Sequence, residues 1–111
     1  MSILEELNTL VESLDIPVET GVFSGRPPDT YAVITPISDT FDGFADNRPQ
    51  YDICEVRISL YTKSNYLDLK LSIEEALLDG GFTITQRRLI GRKDDSGYYH
   101  YALDAACGYV Y

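Results

Sequence analysis

Apolar residues recur at helical spacing from the first turn of the chain. Ile3, Leu7, Leu10, Val11 and Leu14 fall on one stripe, which predicts an amphipathic helix over residues 2–14. Ser2 followed by Glu5 has the spacing of a capping box. Pro17 lies beyond the helix, because the residue before a proline avoids helical angles. The period then shortens to two. Residues 18–23 read as a short strand, Gly25-Arg26-Pro27-Pro28-Asp29 as a turn, and residues 31–41 as a strand centred on Val33 and Ile34. Pro36 has no N–H to donate, so this strand is expected to lie at an edge or to bend there.

Residues 42–50 form a polar loop with Gly43, Asp46, Asn47 and Pro49; Phe41 and Phe44 sit there with little local core to join. The cleanest alternation follows over residues 51–62. Cys54, Val56, Ile58 and Leu60 make one face, and Ile53, Glu55, Arg57, Ser59 and Tyr61 make the other, as a half-buried antiparallel strand requires. A second helix is predicted over residues 65–79, with Tyr66, Leu69, Ile73, Ala76 and Leu77 as its stripe. Ser64 or Asn65 is its cap, and Gly80-Gly81 supplies a left-handed exit. Residues 82–92 and 98–109 are two more strands, joined at 93–97 by Asp-Asp-Ser-Gly turn chemistry. The order is α-β-β-β-α-β-β. Two helical stripes need a common surface, so the predicted fold is a two-layer α+β sandwich. A mostly antiparallel sheet of about five strands carries both helices on one face.

A length of 111 residues fits one domain spanning 1–111, with room for one core. The net charge of −9 disfavours nucleic-acid backbones and anionic membrane surfaces as partners. No apolar run approaches the ~20 residues of a spanning helix, and the opening, with Glu5 and Glu6 so close to its start, does not read as a signal peptide. The charge is unevenly placed. Residues 1–79 carry 15 acidic and 5 basic side chains, whereas residues 80–111 carry 3 and 4, with Arg87, Arg88, Arg92 and Lys93 clustered. That asymmetry reads either as a solvated strand face or as a means of pairing one copy with the next.

No catalytic constellation stands out. The one histidine, His100, falls opposite in face to Cys107 by strand alternation. Cys54 and Cys107 are expected as reduced, buried thiols behaving as small hydrophobes. Separated along the chain, they make no zinc site with one histidine, and Asp39, Asp42 and Asp46 lack calcium-loop spacing. No catalytic, cofactor or metal residue is therefore assigned. Nine tyrosines and no tryptophan are present, crowded at Tyr98, Tyr99, Tyr101, Tyr109 and Tyr111. They suit a packed or exposed sheet face, or a protein-binding surface.

Several stretches together resemble a known family. These are Phe44-Ala45-Asp46-Asn47, Tyr51 through Arg57-Ile58-Ser59-Leu60-Tyr61-Thr62-Lys63, Ile73-Glu74-Glu75-Ala76-Leu77-Leu78 with Gly80-Gly81-Phe82, and Gly97-Tyr98-Tyr99-His100-Tyr101-Ala102. The pattern, from about Gly21 to Ala106, resembles the tail-terminator or tail-completion (tail-to-head joining) proteins of siphophages and prophages. Each motif is short and none is chemically diagnostic. The resemblance implies a non-enzymatic structural protein of the virion tail or neck, made in the bacterial host cytoplasm. It implies a homo-hexameric ring that caps the major tail tube protein and meets the head–tail connector protein. It brings no cofactor, no catalytic residue and no direct nucleic-acid or membrane partner. The expected interface residues are Phe41, Phe44, Asp46, Asn47, Arg87, Arg88, Arg92, Lys93, Tyr98 and Tyr99. A head-completion or neck protein, and a small ferredoxin-like regulatory or ligand-binding domain, are the alternatives.

Overall fold

The computed structural model describes residues 3–21, 25, 28–43, 45, 47–48, 50–92 and 97–110. The elements are α1 (Ile3–Glu12), β1 (Val18–Thr20), β2 (Thr30–Asp42), β3 (Tyr51–Thr62), α2 (Tyr66–Asp79), β4 (Thr83–Arg92) and β5 (Tyr99–Val110). This is the predicted α+β order. The sheet runs β1-β2-β3-β5-β4, antiparallel throughout except for the short parallel pair β1 and β2. β5 inserts between β3 and β4, so β3-α2-β4 is a split β-α-β unit. Among the described residues no helix is long and apolar enough to cross a membrane.

Both helices bury their stripes on one face of the sheet. Ile3, Leu7 and Val11 of α1 and Ile73 and Leu77 of α2 meet Ala32, Ile34, Val56, Ile58, Leu60, Leu103 and Ala105 in one core. α1 unwinds through a tight turn, with Leu14 N–H donating to the Val11 carbonyl, and Leu14 still packs on the core. Ser2 of the expected capping box lies outside the described residues. α2 has both of its caps. Asn65 Oδ1 accepts from the Leu67 N–H at 3.0 Å. At the other end Gly81 adopts φ +85° while its N–H and that of Phe82 return to the Leu78 and Leu77 carbonyls. That double bond is the Schellman exit, and Phe82 and Leu77 supply its apolar contact within the core.

The strands outrun the helices. β1 pairs only with residues 32–34 of β2, so beyond Ile34 the outer side of β2 is a sheet edge among the described residues. Pro36 sits there, and the register slips between Pro36 and Ser38. Edge and bend thus occur together: the missing N–H faces no partner strand, and Ile37 is the extra residue of a bulge. Residues 35–42 are all exposed, and the molecule is 54 Å long against 26 × 24 Å across. β2 and β3, with β5 paired to β3 along its whole length, continue as an arm beyond the core.

Asn65→Ala is expected to cost about 1 kcal/mol, read by urea unfolding, because it removes the cap acceptor of α2.

Candidate functional site

The face of the sheet away from the helices is open, and directly opposed residues build it in rows across the strands. The first row is Tyr31, Tyr61 and His100, followed on β4 by Gly91. The Tyr31 and Tyr61 rings stack at 4.8 Å, and Tyr61 and His100 stack at 4.3 Å. Tyr98 closes the row, its ring edge-on to Tyr31 at 5.5 Å and its hydroxyl donating to the Pro28 carbonyl at 2.6 Å. Lys63 Nζ lies 4.9 Å from the Tyr98 ring centre. Burial, and then the neighbouring Tyr61 and Tyr98 phenols, push the Tyr31 hydroxyl above its ordinary pKa.

The next row, Val33, Ser59 and Ala102, is small and buried beneath its neighbours, with exposed Arg88 at the β4 end. The third carries the one bidentate ion pair among the described residues. Arg57 Nε and Nη2 donate to the two carboxylate oxygens of Asp104 at 2.9 and 3.2 Å. Asp104 is only 6% exposed, a burial that alternation alone did not predict for this face.

The residues expected at an interface do not converge on one surface. Arg87 points to the helix side, where it donates to Glu74 of α2 at 3.0 Å, and Glu74 is thereby buried with a partner. Arg87 is therefore engaged within its own chain. Arg92 lies 5.5 Å from the Tyr99 ring on that same side, whereas Arg88 opens onto the opposite face. Tyr98 and Tyr99 likewise part company, Tyr99 tilting against Tyr66 of α2 at 5.2 Å. Phe41 is 50% exposed at the far end of β2. Asn47 takes a left-handed φ of 62° inside the tight Ala45–Arg48 turn, a geometry that asparagine tolerates. Phe44, Asp46 and Lys93 lie outside the described residues. Gly43 is required at the loop entry: its φ is +64°, and a Cβ there would sit 2.8 Å from the Tyr51 ring.

Two expectations about the cysteines change. Both are half-buried, and the fold sets Cys54 directly opposite Cys107 on β3 and β5. His100 and Cys107 do project from opposite faces of β5, since His100 stacks on Tyr61 while Cys107 packs against the core. Beside Cys107 a groove of about 400 Å³ opens between α1, Phe82 and Tyr109. The Tyr109 hydroxyl donates to Glu6 within it; burial first, and then that bond, hold the hydroxyl above its ordinary pKa.

A scan against protein-family models found no match, and a search of curated proteins found no relative. The surfaces themselves therefore carry the functional reading.

Two stability outcomes follow from the open face. Tyr61→Leu removes both stacks and is expected to cost about 1–3 kcal/mol in urea unfolding, at ~0.5–1.5 kcal/mol per aromatic pair. Arg57→Met is expected to cost about 1–2 kcal/mol. It strands a buried carboxylate, and the value is held below the fully buried case by the 39% exposure of the Arg57 side chain.

Proposed function

We propose that this chain is a structural subunit of a phage or prophage tail, a tail-completion protein that forms a ring on the tail tube and meets the head connector. The observation that carries the assembly part of this reading is a sheet with two unlike free edges. Among the described residues β4 has a strand on one side only, and β2 has none on its outer side beyond Ile34. The β4 edge bears Arg88 and Arg92, and the outer part of β2 bears Asp39 and Asp42. Unlike edges join head to tail, the heterologous contact from which a ring closes. Exposed apolar residues accompany both: Ile37 and Phe41 on β2, Leu89 and Ile90 on β4. Long unprotected edges of this kind invite pairing with another chain. A stable contact buries roughly 800 Å² per partner. The hexameric ring and the tail partners rest on the family resemblance in residues 44–47, 51–63, 73–82 and 97–102.

A neck or head-completion ring uses the same surfaces. The groove beside Tyr109 favours a second reading, a ligand-binding domain, because its volume falls within the ~300–1,000 Å³ of small-molecule sites.

Arg88 and Arg92 together reversed to glutamate are expected to shift the assembly to monomer in size-exclusion chromatography with light scattering. An unchanged mass for the double variant excludes charge pairing at this edge. For the tail role, the chain is expected to bind purified tail tubes and stop their growth; tubes that elongate unhindered exclude it.

A further inference from the structure

The bulge at Pro36 changes which side chains of β2 face the helices. Before it, Ala32, Ile34 and Pro36 oppose the core residues Leu60, Ile58 and Val56. After it, Asp39 opposes Cys54 and Phe41 opposes Asp52, so the odd-numbered residues now take the helix-side face. Cys54 in turn opposes Cys107. One row across three strands thus reads Asp39, Cys54, Cys107, and Asp52 stands one step along β3 on the same face. The Cys54 Sγ and carboxylate oxygens of Asp39 and Asp52 lie within 4.8 Å of one another.

We propose that Asp39, Asp52, Cys54 and Cys107 form a binding site for one divalent cation of the zinc type at the root of the β2–β3 arm. Two thiols side by side with two carboxylates are a tetrahedral ligand set of mixed softness. Thiolate sulfur selects zinc-like ions over magnesium and calcium, which prefer oxygen alone. Metal–ligand bonds of ~2.0–2.3 Å place tetrahedral ligands roughly 3.3–3.8 Å apart. For Asp39, Asp52 and Cys54 the present separations, within 4.8 Å, close to that by small side-chain rotations, and their exposed or half-buried positions leave room for it. Cys107 lies outside that 4.8 Å group and, directly opposed to Cys54 on β5, joins as the fourth ligand by turning its own side chain.

The electrostatics suit a cation. Burial, Asp39, Asp52 and Cys107 together push the Cys54 thiol up to about 11. A thiol held there is a poor nucleophile, which speaks against a redox role. Two positive charges at the same place outweigh these effects, and a coordinating thiol gives up its proton outright. Thiol ligands bind as thiolates, so binding weakens as pH falls. The bound ion ties β2, β3 and β5 together where the sheet leaves the helices.

Cobalt(II) is the probe. Titrated into the fully reduced full-length protein, it is expected to raise a near-ultraviolet sulfur-to-cobalt charge-transfer band that saturates at one ion per chain. Zinc is expected to displace the cobalt and raise the melting temperature. Cys54→Ser and Cys107→Ser each remove or shrink the band. Asp39→Asn, at an exposed position that leaves the fold intact, weakens binding by at least the ~10–100-fold that an outer-shell partner costs. Absence of the band at millimolar cobalt overturns the proposal. So does equal affinity in Asp39→Asn, or an intact mass two hydrogens lower that reductant restores without the protein then gaining cobalt absorption. Arg88 and Arg92 are untouched in every variant, and Cys54→Ser and Cys107→Ser also leave the acidic β2 edge unchanged, so in those two variants failure of this site and failure of ring assembly are separately visible.

Discussion

Two apolar helix stripes must share one face of a sheet that is longer than they are. That mismatch shapes the rest of the molecule. The core closes over Ile34, Ile58, Leu60 and Leu103, and the helices end there. Outside it, β2 and β3 hold together through their ladder and through cross-strand side chains, with residues 35–42 exposed on β2. A strand pair of this kind has little independent stability in water. Its persistence depends on β5 alongside it, and on whatever later covers its edges.

The open face solves a second problem in the same terms. A sheet with one side uncovered needs side chains that are apolar in body and polar at the tip. Tyr31, Tyr61 and Tyr98 with His100 meet that need by stacking on one another. Their bulk, with the Arg57–Asp104 pair, shields Val33, Ser59 and Ala102 between them. The result is a stacked aromatic platform. Its charged positions are few and mostly spoken for within the chain, which leaves Arg88 and the arm as the groups best placed to meet another polypeptide.

Much of the fold was legible in the residue pattern because periodicity is a local property. The alternation of residues 51–62 predicted β3 to the residue, and the stripe from Tyr66 to Leu77 predicted α2 with its glycine exit and a cap at Ser64 or Asn65, which the structure gives to Asn65. What escaped was non-local. Proline chemistry at residue 36 announced a bend but not that the bend would switch the facing of Asp39 and Phe41. Nothing in the spacing of Cys54 and Cys107 along the chain reveals that β5 aligns beside β3 with those two in register. The basic run from Arg87 to Lys93 looked continuous in sequence. A strand divides such a run between two faces, and α2 then claims Arg87 through Glu74. His100 was placed correctly relative to Cys107, because a single strand's alternation decides that relation.

The proposed role depends on the two sheet edges outside the core meeting other polypeptides. Amide hydrogen exchange, compared between the dilute chain and its assembled form, reads those edges strand by strand. New protection is expected at residues 35–42 of β2 and at β4, with the helices unchanged. Protection that appears only on α1 and α2, with both edges exchanging as fast as before, would contradict it.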